Sequence, residues 1–199
     1  MVIVIACYVL RIKIYLVFDF DINFVFAFKL INHFIFEFCD LDVFLKKFQQ
    51  PILVEEFVDG RELHVTVLER NGEPWVLPPA EVVFEKRAGW RPILSYEGKW
   101  DEKSKEYKMS HMELANLNSN IKNQITDIAK KCYRELGGRD YPRIDMRIRG
   151  GEIFVLEINN NPGIDYDIES GIGVSARAAG LSWEDLLKHI VENARRRFK

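Results

Sequence analysis

Apolar and polar residues alternate on both sides of Gly150-Gly151, from Arg143 to Asn159, which predicts two strands joined by a glycine turn. The alternation also selects a register. With an odd-numbered loop centred on Gly151, Ile144 faces Ile158, Met146 faces Leu156 and Ile148 faces Phe154, one wholly apolar face. The other face then sets Asp145 beside Glu157 and Arg143 beside Asn159. A two-residue Gly-Gly turn would instead place Ile144 against Glu157 and Asp145 against Leu156, mixing the faces. The apolar pattern therefore favours the register that gathers two carboxylates, an amide and a guanidinium.

The same reading places the other elements. Phe18, Phe20, Ile22, Phe24, Phe26, Phe28 and Leu30 alternate with Asp19, Asp21, Asn23 and Lys29, a strand period longer than the ~3–10 residues of ordinary strands. An apolar run after Pro51, a turn at Asp59-Gly60 and a strand through His64 to Leu68 follow, and Leu77–Phe84 reads as a further strand. Leu114, Leu117, Ile121, Ile125, Ile128, Ala129, Cys132 and Leu136 fall at helical spacing, predicting a helix over Ser110–Leu136 that Gly137-Gly138 stops. Residues 164–181 read as a loop rich in acids and glycine, long enough to be functional. Ser182-Trp-Glu-Asp185 is a capping box opening an amphipathic helix, and Arg195–Lys199 suits the negative end of its dipole. These elements predict an α+β fold, an antiparallel sheet with packed helices.

Composition narrows the picture. The chain has 199 residues, 48% of them apolar, enough for one core. Its net charge of −2 offers no electrostatic reason to bind nucleic acid or an anionic membrane. Cys7, Cys39 and Cys132 are too scattered for a disulfide framework or zinc cluster, which suits a reducing cytoplasm. The apolar start, Met1–Leu10, is short of the ~20 residues that span a bilayer and lacks a basic lead or cleavage site. Residues 1–50 hold ten of the 14 phenylalanines and no glycine, proline, serine, threonine or tryptophan. The expected division is therefore an atypical segment, 1–46, and an ordinary domain, 47–199.

Clustered oxygen donors suit hard cations such as magnesium, which takes one or two carboxylates with phosphate oxygens and water. Adjacent carboxylates otherwise repel, and ask for a cation or a shifted pKa. The series Arg143-Ile-Asp145, Leu156-Glu157-Ile-Asn159, Asn161-Pro162-Gly163 resembles the metal and phosphate hairpin of the ATP-grasp ligases. It is most similar to the D-alanine–D-alanine ligases, whose pattern is R-x-D, a hairpin, then E-x-N-x-x-P-G. The resemblance implies that Asp145, Glu157 and Asn159 hold two magnesium (or manganese) ions on the ATP phosphates. Arg143 and the Gly163 N–H would then face a developing oxyanion.

Upstream, the resemblance sets Glu55 at the adenine amino group, the backbone of Phe57 and Val58 along the adenine edge, and Glu62 on the ribose hydroxyls. Leu77-Pro78-Pro79-Ala80-Glu81 resembles the family's L-P-x-x-E strand, and Tyr96-Glu97-Gly98-Lys99-Trp100 its Y-E-x-K-Y loop, with Lys99 on a phosphate or acyl-phosphate. Trp100 stands where the family has tyrosine, near the first substrate's pocket. Ser170 matches the serine that binds the acceptor's carboxylate. His64 and His111 read as packing or surface residues.

The implied activity is an ATP-dependent carboxylate–amine ligase with an acyl-phosphate intermediate, acting on D-alanine in peptidoglycan biosynthesis. Its partners would be small amino acids, with neither nucleic acid nor membrane, and the full-length family is expected to form homodimers. Other readings are an ATP-grasp ligase with a different amino acid or peptide acceptor, and an inactive fragment keeping a nucleotide half-site. The resemblance covers residues 47–199, the C-terminal part of the ATP-grasp domain. Residues 1–46 are expected not to be native family sequence. The family's Gly/Ser-rich lid has no counterpart in residues 1–50, so the chain alone is expected not to catalyse ligation.

Overall fold

The computed structural model describes residues 3–7, 52–56, 58–86, 92–94, 103–167 and 170–197. They divide into two units, Met1–Phe57 and Val58–Lys199. In the first, β1 (Ile3–Cys7) pairs in parallel with β2 (Ile52–Glu56), Ile3 opposite Ile52. The expected long strand through Phe18–Leu30 lies outside the described residues.

The second unit is built on β3 (Arg61–Arg70), whose two faces are both buried. Leu63, Val65 and Val67 point one way and Glu62, His64 and Thr66 the other, so this is a central strand with one apolar and one polar face. Its first half pairs antiparallel with β5 (Ala80–Phe84), its second half with β4 (Glu73–Val76). Asn71 and Gly72, with φ of 56° and 84°, turn the chain between β3 and β4, a pair of positive φ values that matches strand twist. A short helix, α1 (Lys105–Lys108), precedes β6 (Ser110–Leu114), and β7 (Arg143–Arg149) and β8 (Glu152–Asn159) complete the sheet. The order is β6-β5-β3-β7-β8, with β4 beside the far end of β3.

Helix α2 (Ser119–Glu135) covers the apolar face, packing Ile125, Ala129 and Tyr133 on Leu63, Val65, Val67, Ile144 and Met146. The Asn118 side chain accepts from the Ile121 N–H at 3.0 Å, and Gly137 (φ 70°) ends the helix. The expected helix over Ser110–Leu136 is thus only partly correct. Ser110–Leu114 is a strand with five register pairs to β5, leaving Leu114 half exposed. The edge of β5 satisfies the backbone of these residues, and that outweighs their helical spacing.

Residues 164–181 also differ from the expected loop. They contain α3 (Gly171–Ala178), capped by Ser170, whose Ile172, Ser175 and Ala176 are buried. Two glycines lower the local helix propensity, and burial against the sheet restores the helix. Ile172 and Ala176 join Leu68, Leu77 and Leu186 in a second cluster. Leu186 belongs to α4 (Trp183–Arg196), which opens with the expected reciprocal Ser182–Asp185 capping box. Among the described residues no helix is long and apolar enough to cross a membrane.

Candidate functional site

Gly150 and Gly151 both have positive φ, 60° and 88°, and form a two-residue turn with Arg149 opposite Glu152. From that turn Ile148 pairs with Ile153, Arg147 with Phe154 and Met146 with Val155. The expected pairs Met146/Leu156 and Ile148/Phe154 do not form. A bulge then takes up Leu156, and beyond it Asp145 faces Glu157, Ile144 faces Ile158 and Arg143 faces Asn159 as expected. Tight turn and bulge together restore the parity that the apolar pattern asked for. Leu156 is the residue displaced: it is 40% exposed rather than in the core. Phe154 likewise lies beneath the Arg149 guanidinium, 4.8 Å from ring centroid to Cζ.

Strand β3 brings three polar residues to the same face of β7, in the register Glu62–Arg147, His64–Asp145 and Thr66–Arg143. Arg143 grips Asp145 in two bonds, Nε to Oδ1 at 2.6 Å and Nη2 to Oδ2 at 2.8 Å. Burial disfavours the charged guanidinium, but the Asp145 bonds and the fields of Asp145, Glu157 and Glu62 prevail and hold its pKa above the ordinary arginine value. The His64 Nε2 lies 4.0 Å from the buried Asp145 carboxylate. Its other ring nitrogen is close to Gly171, where a Cβ would come within 2.9 Å of it. His64 is therefore a packed residue in the wall of the cleft above this face. The cation that the clustered acids ask for is partly intrinsic, because arginines already pair with Asp145 and Glu62.

Above this face opens a cleft of about 420 Å³, lined by Arg143, Glu157, Asn159, Gly163 and Ser170 among others. The fold thus brings five of the expected site residues to one cavity, with Asp145 directly beside Arg143. The Asn159 Oδ1 accepts from the Asn161 N–H at 3.1 Å, and the Tyr141 hydroxyl donates to the Asn161 Oδ1 at 2.5 Å, fixing the loop into Gly163. Ser170 caps α3: its Oγ accepts from the Gly173 N–H at 2.9 Å and donates to the Asp165 carbonyl at 3.0 Å. Thr66 also lines the cleft, and its buried Oγ1 has no hydrogen-bond partner among the described residues.

No group of three or more His, Cys, Asp or Glu side chains gathers for a metal among the described residues. The donor set is two carboxylates and an amide oxygen, which fits magnesium completed by phosphate and water. Val58 is described and its carbonyl accepts from Arg147. Phe57, Lys99 and Trp100 lie outside the described residues, as does the side chain of Glu55. Sequence reasoning missed Arg147, although the alternation Arg143, Asp145, Arg147 already placed it on the polar face.

The antiparallel sheet pairs an Arg-x-Asp strand with a Glu-x-Asn strand under one cleft, the arrangement expected of the C-terminal part of an ATP-grasp ligase. The family model described as D-ala D-ala ligase C-terminus matches residues 41–192, and the chain belongs to that family. It is 38% identical over 148 residues to a D-alanine–D-alanine ligase of Desulforudis audaxviator, covering 73% of this chain and 44% of that protein. A D-alanine–D-alanine ligase of Petrotoga mobilis is 32% identical over 149 residues, 75% of this chain and 46% of that one. The chain thus spans less than half the length of these curated relatives. Its fold matches the crystal structure of the Bacillus anthracis D-alanine–D-alanine ligase complexed with ATP, with a TM-score of 0.62 at 23% identity, over 93% of this chain and 60% of that one. D-alanyl-alanine synthetase A from Vibrio cholerae matches with a TM-score of 0.52 at 25% identity, over 70% and 40% of the two chains.

Proposed function

We propose that Val58–Lys199 carries the nucleotide, metal and acceptor half-site of an ATP-dependent carboxylate–amine ligase of the D-alanine–D-alanine type. The observation that carries this reading is the row Arg143, Asp145, Glu157 and Asn159 across β7 and β8, beside Gly163 and the N-terminus of α3. Asp145, Glu157 and Asn159 would hold magnesium or manganese, which when bound offsets the charge of the ATP phosphates. Glu62 accepts from the ribose hydroxyls and the Val58 backbone lies along the adenine.

The first substrate's carboxylate takes the γ-phosphoryl group of ATP, releasing ADP and forming an acyl-phosphate, with Lys99 on the phosphate. The acceptor amine attacks the acyl carbon, and inorganic phosphate leaves. Arg143 binds Asp145 through Nε and Nη2, and its Nη1 has no partner among the described residues. That nitrogen and the Gly163 N–H steady the tetrahedral oxyanion, and Asp145 holds the guanidinium in place. The acceptor's carboxylate docks at the α3 N-terminus, where the Ser170 hydroxyl proton swings from the Asp165 carbonyl to it. Such a ligase works in the cytoplasm on small amino acids.

Trp100, in place of the family's tyrosine, supports a second reading in which the acceptor is another amino acid or a peptide. ADP release with and without D-alanine, measured on this chain joined to the N-terminal part of a full-length D-alanine–D-alanine ligase, separates the readings. Release that depends on D-alanine supports the first, and release that needs a different acceptor supports the second. Magnesium-dependent ATP binding without release under any acceptor leaves only a nucleotide half-site.

A further inference from the structure

We infer that Arg147 is a positioning residue for the nucleotide, one that fixes both the carboxylate and the backbone carbonyl facing the nucleoside. The inference rests on the nucleotide reading above. Arg147 stands in the middle of β7 with its side chain only 3% exposed. A buried guanidinium is tolerated only when its donors are met, and here all three nitrogens are engaged. Nε and Nη2 donate to Glu62 Oε2, Nη1 donates to the Val58 carbonyl at 2.9 Å, and Nη2 also donates to the Pro92 carbonyl.

Two details give this fork a task beyond stability. Both Glu62 contacts fall on one oxygen, Oε2, which pins that oxygen and leaves Oε1 to accept from a ligand. Val58, Glu62 and Pro92 come from three separate stretches of chain, and the planar guanidinium holds them in one geometry. A lysine, with a point charge and no fork, cannot reproduce that.

The test compares the affinities of the 199-residue chain for ATP and 2′,3′-dideoxy-ATP in magnesium, alongside magnesium triphosphate, which lacks the nucleoside. The wild type is expected to prefer ATP by about tenfold, since the ribose hydroxyls donate to a charged acceptor. In Arg147→Met that ratio falls to about one while triphosphate binding persists. Circular dichroism checks the fold, and if Arg147→Met does not fold, Arg147→Lys decides, because it keeps the charge but loses the fork. A folded variant that retains the wild-type ratio overturns the inference, as does a wild type that binds ATP without discriminating. A wild type that binds neither nucleotide nor triphosphate removes the nucleotide reading itself, a distinct failure.

Discussion

Asp145 and Arg143, two residues apart on one strand, form a bidentate ion pair beneath the cleft, with bonds of 2.6 and 2.8 Å. The pair solves a local problem of charge, since Asp145 is buried and Glu157 stands directly across from it. Arg143→Gln should leave that carboxylate uncompensated and destabilise the fold by ~3 kcal/mol. Adding Asp145→Asn should recover much of the loss, and urea denaturation of the double-mutant cycle measures it. Additive losses would show that the pair contributes no coupling.

The bulge makes a contrast between neighbouring apolar residues. Leu156→Ser should change stability by less than ~1 kcal/mol, because the residue is already 40% exposed. Met146→Ala, at a fully buried position opposite Val155, should cost ~2–5 kcal/mol. Equal losses in chemical denaturation would mean that Leu156 is a core residue after all.

Tyr133 gives the folded state a signature at high pH. Burial, then the field and hydrogen bond of Glu69, push its phenol up from 10.0 to about 12. The folded chain therefore holds this proton more tightly than the unfolded one. The contribution is intact below pH 10 and is lost as the pH rises toward 12. Tyr133→Phe should flatten the stability profile in that window relative to wild type, which denaturation midpoints at successive pH values would reveal.

Ligation should be absent from the 199-residue chain on its own. Acyl-phosphate chemistry depends on orienting both substrates, which can supply ~7–11 kcal/mol of a barrier. With D-alanine in excess, ADP release should stay far below the ~1 per second of ordinary enzymes. Turnover at that rate would show that these residues hold both substrates and ATP unaided.

The site was more legible in the sequence than the fold around it. Asp145, Glu157, Arg143 and Asn159 were placed together because one face of the hairpin had to be apolar. The bulge was not legible, since a single extra residue resets the parity of the alternation, and an apolar Leu156 reads as core wherever it falls. Ser110–Leu114 carries helical spacing but answers to the edge of β5, a partner distant in sequence. Helix α3 was hidden by Gly171 and Gly173, and only the burial of Ile172 and Ala176 accounts for it. Arg147 was passed over because a charged residue on a hairpin is ordinarily solvated, and its three acceptors come from residues 55 to 89 positions away.

The Asp145–Glu157 row should hold a magnesium–nucleotide complex. Calorimetric titration of ATP into the 199-residue chain, with and without magnesium, tests this for wild type, Asp145→Asn and Glu157→Gln. Glu157→Gln is the cleaner variant because that side chain is exposed and its loss should not disturb folding. The expected result is ATP binding that requires magnesium in the wild type and loses that requirement together with its affinity in both variants. Unchanged affinity in magnesium for both folded variants would contradict the assignment.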